Sequence, residues 1–504
     1  MTRDLGQFDL IVVGGGVNGA GIARDAVGRG LSVLLCEKDD LAQGTSSRSG
    51  KLVHGGLRYL EYFEFRLVRE ALVEREVLLR AAPHIIWPMR FVLPHSPKQR
   101  PAWMVRAGLF LYDHLGGRKV LAPTRSLDLL KAPEGGPLRK NFKRAFEYSD
   151  CWVDDARLVV LNAVDVRERG GTVLTRTRLA SARREADKWR VDLRSARDGN
   201  TLQATGKILV NAAGPWVEDV LRRAGRNAGS RVRLVKGSHI VTRKFWSGDQ
   251  AYLLQNNDKR VIFVNPYEGD LALIGTTDIP FEGRAEDARI ERSEAEYLLS
   301  VVDRYFMRAP TIHEIVDSFS GVRPLFDDKS ANPSAVTRDY VFDVEAPAGQ
   351  APMLSVFGGK ITTYRRLSEH ALEHLSPYLP QMKDAWTEHA PLPGGNIPDA
   401  DFSLFLEELR RQRPWLPQDV AHGYARRYGT RVDNLLNGAG SISDLGRPFG
   451  GTLYEREARF LGEEEWATDV EDILERRTKH ALHLTLEERA HFTAWFQMLM
   501  PQPV

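Results

Sequence analysis

A glycine triplet set between two apolar runs constrains this chain more than anything else in it. Phe8-Asp9-Leu10-Ile11-Val12-Val13 is rich in β-branched residues and reads as a buried parallel strand. Gly14-Gly15-Gly16-Val17-Asn18-Gly19 follows at once, with glycine at the first, third and sixth places. Ala20 to Arg29 read as a helix closed by Gly30, and Leu31-Ser32-Val33-Leu34-Leu35-Cys36 reads as a second strand ending on Glu37. Gly14 suits the tight turn, Gly16 lets the backbone approach a pyrophosphate, and Gly19 lets helix and strand pack closely. A helix start here offers free N–H groups to phosphate, and Glu37 stands 18 residues after Gly19, where it can bond a ribose hydroxyl pair. Residues 8–37 therefore read as a βαβ unit for the ADP part of a dinucleotide. Val17, Asn18 and Lys38 belong to the same candidate site.

At 504 residues the chain is too long for one simple core, and two or three domains are expected. A net charge of +3 is too weak to suggest nucleic acid, but it suits anionic substrates or an anionic membrane surface. Two cysteines, Cys36 and Cys151, leave no room for a disulfide framework or an iron–sulfur run. Met1-Thr2-Arg3-Asp4 runs straight into the first strand without the pattern of a signal peptide, and no apolar run is long enough to cross a bilayer. A cytoplasmic protein is expected, with room for contact with a membrane. The scattered histidines match no helical metal-site spacing.

The glycine fingerprint alone does not separate NAD from FAD. It lies at the extreme N-terminus, however, and no second G-x-G-x-x-G follows on a strand–helix turn, so electrons should come directly from substrate. Gly44-Thr45-Ser46-Ser47-Arg48-Ser49-Gly50-Lys51-Leu52-Val53-His54-Gly55-Gly56-Leu57-Arg58-Tyr59-Leu60 then supplies small hydroxyl residues and glycines able to wrap a pyrophosphate and a flavin edge. Together with the fingerprint, this segment resembles the aerobic, FAD-dependent glycerol-3-phosphate dehydrogenases, within the glycine-oxidase and D-amino-acid-oxidase class. The likeness continues in Arg80–His84, Pro88–Phe91, Glu147–Leu158, Leu209–Trp216, Lys236–His239, Gly275–Asp278, Ser320–Leu325, Thr337–Tyr340 and Phe357–Arg365.

The resemblance implies FAD and an α/β fold: a Rossmann-type FAD-binding domain, a sheet-bearing substrate (cap) domain and an all-α C-terminal domain. Residues 1–390 would form a discontinuous FAD-binding domain with the inserted cap, and 391–504 the helical domain after the linker Gly394-Gly395-Asn396-Ile397-Pro398. Helical patterns run over 402–411, 417–428, 466–480 and 485–499. The implied reaction oxidises sn-glycerol 3-phosphate to dihydroxyacetone phosphate by hydride transfer to flavin N5. A membrane quinone takes the electrons, the resemblance implies a peripheral place on the inner face of the cytoplasmic membrane, and a homodimer is left open.

Cofactor-binding expectations follow from the matched motifs. Thr45, Ser46, Ser49, Leu52 and His54 face the flavin, Leu179 meets the adenine, and Gly214 and Trp216 return to the ADP site. Gly358, Gly359, Lys360, Ile361 and Thr362 start a helix whose dipole stabilises negative charge near flavin N1 and O2. A near-dianionic phosphate needs several fixed cations. An arginine among 70 basic residues is ordinarily a solvated surface group. The resemblance raises Arg58, Arg323 and Arg338 above that background, with Tyr59 and Lys360 beside them. His239 is favoured as general base with Arg323 polarising the same oxygen, and His54 is the alternative. Rival readings are an oxygen-using glycerol-3-phosphate oxidase, an amine or amino-acid oxidase of the same class, and a flavin-binding module without turnover.

Arg90 to Tyr112 mixes Arg90, Lys98, Arg100 and Arg106 with Pro101, Trp103, Met104, Leu109, Phe110 and Leu111. This stretch is expected to rest in lipid headgroups, with packing into the cap as the alternative.

Overall fold

The computed structural model describes residues 2–96, 100–226, 232–256, 258, 260–326 and 339–499. The chain starts in one sheet with β1 (Thr2–Val13), α1 (Val17–Gly28) and β2 (Val33–Cys36). It crosses to a second sheet for β3 (Leu52–Val53), α2 (Phe65–Ala81), β4 (Ile86–His95), α3 (Ala102–Leu115), β5 (Arg125–Asp128) and β6 (Arg144–Val153). It returns for α4 (Asp155–Glu168), β7 (Thr172–Leu174), β8 (Thr177–Glu185), β9 (Lys188–Ser195), β10 (Thr201–Asn211) and α5 (Val217–Arg223). A second excursion holds β11 (Val232–Arg243), β12 (Ala251–Gln255), β13 (Val261–Tyr267), β14 (Leu271–Gly275), β15 (Ile279–Pro280), α6 (Arg292–Tyr305) and β16 (Ile315–Phe326). The chain comes back once more for β17 (Val341–Glu345), β18 (Met353–Phe357) and α7 (Tyr364–Leu375).

The first sheet has the order β17-β18-β10-β1-β2-β7, with the β8–β9 hairpin paired to β10. β1 runs parallel to both β2 and β10. Its side chains alternate as a strand covered on both faces must. Leu10 and Val12 join the core under α1, α4 and α7, while Ile11 and Val13 join the opposite one with Trp189, Val217 and Leu221. α1 starts at Val17 rather than Ala20, and β2 at Val33 rather than Leu31. Val17, Asn18 and Gly19 are thus the first helical turn, which puts their N–H groups at the end of a dipole.

The second sheet runs β15-β11-β14-β13-β12-β4-β6-β3, with β16 paired to β11 and β5 to β6. One face packs Val92, Ile240, Ile262 and Val264 against α6. The other carries Phe91, Val241, Leu253 and Leu273 toward α2 and α3. The 90–112 stretch is therefore not one amphipathic unit. Arg90 lies in β4 and turns inward, with its guanidinium 2.6 Å from the Glu147 carboxylate and donating to the Ala122 and Pro123 carbonyls. It is withdrawn from the proposed lipid-facing set, and Lys98 lies outside the described residues.

Beyond Pro398 the chain is mainly helical: α8 (Phe402–Gln412), α9 (Gln418–Tyr428), α10 (Val432–Leu435), α11 (Glu455–Glu465) and α12 (Leu486–Leu499). These share a core around Tyr424, Tyr428, Leu461 and Phe496. The expected helix over 466–480 does not form as such. Trp466 takes φ +57° and ends α11, and the Asp472 carboxylate accepts from the Thr468 and Asp469 N–H groups. These bonds cap a shorter helical run over 470–477, so the helix starts later than expected. One wide helical turn, Asp472–Arg477, then aims Arg476 and Arg477 at Asp40 beside β2.

Candidate active site

A cavity of about 1600 Å³ runs between the two sheets, from Gly14 at the head of α1 to the exposed side of α3. That volume exceeds an ordinary small-ligand pocket, and suits a long cofactor with a substrate beside it.

The nucleotide end is built by backbone. Gly14 has φ +114°, and a Cβ there would stand 2.5 Å from the Ala212 carbonyl oxygen. A Cβ on Gly19 would stand 1.9 Å from the Gly14 oxygen, so Gly19 serves strand–helix packing and does not line the cavity. Gly16 caps α1 without a side-chain hydrogen bond, and Val17 N–H donates to Ser46 Oγ at 3.0 Å. Asn18 Oδ1 is buried without a partner. Helix-start donors and glycines at the closest approach fit a pyrophosphate. Glu37 accepts from Gly15 N–H at 2.6 Å and Asp39 N–H at 2.8 Å, while burial pushes its carboxyl pKa up. Lys38 lies 4.2 Å over the Trp216 ring. Leu179, Gly214 and Trp216 line the same end.

The middle of the cavity is walled by residues 44–54 and by the Gly358 loop. Thr45 Oγ1 donates to the Val322 carbonyl at 2.5 Å. Ser49 Oγ donates to Asp155 at 2.8 Å, and the buried Lys51 pairs with the same carboxylate at 2.7 Å. Gly358 and Gly359 have φ +74° and +98° and precede the Ile361–Thr363 turn that opens α7. Thr362 accepts from the His54 N–H at 3.2 Å, which binds this helix start to the 44–54 segment. Ser46, Leu52, Lys360 and Ile361 complete the wall.

His54 Nδ1 accepts from Gly56 N–H at 3.2 Å. Its neutral ring must therefore carry the proton on Nε2, which makes that nitrogen a donor. His239 differs. It sits in β11 with its ring stacked on Phe319 at 5.0 Å, and its Nδ1 is buried without a partner. A Cβ on Gly275 would stand 2.1 Å from His239 Cδ2, so glycine there lets the ring lie over β14. Burial first, then the positive charges of Arg323 and Lys51, push the His239 pKa down to about 3. The ring is neutral at neutral pH.

Arg323, Lys360 and Arg58 all line the cavity. Arg323 Nη1 pairs with Asp278 at 3.1 Å, Lys360 lies 4.1 Å over the Tyr59 ring, and Arg58 reaches the Tyr62 hydroxyl at 3.4 Å. Arg338 lies outside the described residues. Four functional candidates went unnoticed as site residues in the sequence: Asp278, Asn265, Lys51 and Asp155. Asp278 closes the Gly275-Thr276-Thr277-Asp278 motif, so that signal was present, whereas nothing local marks Asn265.

The cavity mouth is rimmed by exposed apolar side chains. Phe63 is 79 % exposed and Trp103 70 %, with Phe65 and Leu111 beside them, while Phe110, 61 % exposed, lies on α3 outside the cavity lining. Arg100, paired with Glu61 at 3.4 Å, stands in the same rim. Among the described residues no helix is long and apolar enough to cross a membrane.

Comparison with known proteins matches residues 9–365 to the family model "FAD dependent oxidoreductase" and residues 385–498 to "C-terminal domain of alpha-glycerophosphate oxidase". The chain is 62 % identical to a D-erythritol 1-phosphate dehydrogenase of Brucella abortus, covering 97 % of each. It is 51 % identical to the aerobic glycerol-3-phosphate dehydrogenase of Escherichia coli, again covering 97 % of each. Among solved structures, a glycerol-3-phosphate dehydrogenase from Bacillus halodurans complexed with FAD superposes with a TM-score of 0.75 at 27 % identity, covering 98 % of this chain and 94 % of that one.

Proposed function

We propose that this chain, which belongs to the FAD-dependent oxidoreductases, oxidises the secondary hydroxyl next to the phosphorylated carbon of a small polyol phosphate, as in sn-glycerol 3-phosphate to dihydroxyacetone phosphate. The observation that carries this reading is the gathering of Arg58, Arg323 and Lys360 around the cavity that holds a neutral, lone-pair-bearing His239. A phosphate gains most from planar donors and fixed cations, and an alcohol must lose its proton as hydride leaves.

FAD supplies the hydride acceptor at flavin N5. Gly14, Gly16 and the start of α1 would hold its pyrophosphate, and Glu37 the ribose. Thr45, Ser46, Ser49, Leu52, His54 and the Gly358–Thr362 turn would surround its ring. His239 takes the hydroxyl proton, and Arg323 polarises the same oxygen while holding the phosphate with Arg58, Tyr59 and Lys360. Arg338 stays in the proposed phosphate set on its motif alone.

The relative at 62 % identity favours a second reading, D-erythritol 1-phosphate as the physiological substrate. Both molecules carry a CH(OH)–CH₂–O–phosphate unit, so the same cations and base serve either. The reading further assigns the electrons to a membrane quinone and the apolar rim at the cavity mouth to an anionic membrane surface. It divides the chain into a discontinuous FAD domain with its cap (1–390) and a helical domain (391–504).

The test is anaerobic addition of each phosphate to purified yellow protein. Bleaching of the flavin absorbance is expected, and the ratio of the two rate constants ranks the substrates. Colourless protein that FAD fails to reconstitute, or flavin that neither compound bleaches, would end the proposal. Peroxide yield with and without a quinone analogue distinguishes a dehydrogenase from an oxidase. Absence of inhibition by simple phosphate esters would favour an amine or amino-acid oxidase.

A further inference from the structure

Asn265 is 1 % exposed, and its Oδ1 is enclosed without a hydrogen-bond partner. It lies in β13, on the strand face that lines the cavity. The strand's alternation sends Val261, Phe263 and Asn265 to that face, and Ile262 and Val264 into the core beneath α6. Leu253, Phe263 and Leu273 surround it with apolar surface. An amide kept in such a place without a partner calls for a ligand or water to complete it.

The sheet register says where that ligand group would sit. His239 pairs with Gly275 across β14, and Gly275 pairs with Phe263 across β13. Asn265 is one step further, paired with Leu273, about 7 Å along the strand direction. Arg323 lies on the other side of His239. It pairs with Val235, and its guanidinium reaches back over Gly237, where a Cβ would stand 2.8 Å from Nη2. Along the strands, His239 is thus bracketed by a guanidinium on one side and an amide on the other. Because residue 275 lacks a side chain, the His239 ring leans over β14 toward β13.

We infer that Asn265 reads the hydroxyl on the substrate carbon distal to the phosphate, making it a specificity determinant for polyol phosphates over their deoxy analogues. This rests on the proposed reaction. A phosphate held at the cation side, with its carbinol at His239, extends its remaining hydroxylated carbons toward the amide. Either end of a carboxamide can meet a hydroxyl, because that group both donates and accepts.

The experiment compares sn-glycerol 3-phosphate and D-erythritol 1-phosphate with propane-1,2-diol 1-phosphate of matching configuration, which lacks the distal hydroxyl. The wild-type holoenzyme is expected to prefer the better polyol phosphate by about 100-fold or more in kcat/KM, as a site built to bond a hydroxyl does. In Asn265→Leu and Asn265→Ala that preference should shrink to a few-fold, through loss of activity on the polyol phosphate. The flavin content and absorbance spectrum should be unchanged. Equal losses on all three compounds, or loss of bound flavin in both variants, would overturn the assignment to Asn265 while leaving the proposed reaction standing. Wild-type protein that oxidises none of the three would overturn the reaction and this inference together.

Discussion

Arg157 and Glu465 form a fully buried ion pair, with Arg157 Nη2 donating to Glu465 Oε1 at 2.9 Å. Arg157 stands in α4, behind the nucleotide sheet, and Glu465 ends α11 of the C-terminal helices. Removing one partner leaves a charge in a place that water does not reach. Glu465→Ala should therefore destabilise the protein by about 3–5 kcal/mol. Chemical denaturation followed by flavin fluorescence and by far-UV circular dichroism checks this. Equal midpoints for variant and wild type would show the pair to be neutral.

Arg323→Ala should lower kcat/KM for the phosphorylated substrate by about 10- to 100-fold, the effect of one charge-assisted contact. The loss should fall mainly on KM, with flavin still bound. Steady-state kinetics beside the 450-nm region of the absorbance spectrum separate this from cofactor loss. Normal saturation by substrate would remove Arg323 from the site.

His239→Gln should lower the rate of anaerobic flavin bleaching by about 10²- to 10⁴-fold. In the wild type, burial and the neighbouring cations already hold the His239 pKa down to about 3. The free enzyme's kcat/KM profile should then show no histidine inflection near pH 6.5. Its acid limb should follow the second ionisation of the substrate phosphate and move upward with a phosphonate analogue. A limb near 6.5 that ignores that replacement would contradict the assignment.

His84 is fully buried with both ring nitrogens unpartnered, and burial together with Arg157 pushes its pKa down to about 3. The unfolded chain takes a proton on this ring below about pH 6.5, and the folded chain does not until about 3. Stability is thus lost as pH falls through that window, by about 2 kcal/mol at pH 5 for such a histidine. His84→Gln should flatten the dependence of Tm on pH between 6.5 and 4.5. An unchanged slope would place the acid sensitivity elsewhere.

Trp103→Ser with Phe110→Ser should reduce sedimentation with vesicles containing anionic lipid, while turnover with a soluble electron acceptor stays near wild type. Both side chains are among the most exposed apolar groups on the molecule. Unchanged sedimentation would count against membrane contact through the rim.

The nucleotide end was legible in the sequence because its contacts are local. Gly14, Gly19 and Glu37 meet within one strand–helix–strand unit, and the helix-start dipole follows from the glycines before Val17. The substrate end is assembled across long separations. Arg323 meets Asp278 over 45 residues, and nothing near either announces the pair. The hydrogen bond from Gly56 N–H to His54 Nδ1 was also out of reach of the sequence. The 466–480 region misled for a different reason. Its apolar spacing is helical, but Trp466 turns the chain at φ +57° and Asp472 caps a run that starts only at 470.

The chain's repeated passage between its two sheets has an architectural consequence. Neither layer is encoded by one contiguous stretch, so no single cut before residue 365 releases a complete half. The slot between the layers is completed by their last strand in chain order, β18, whose loop carries Gly358 and Gly359.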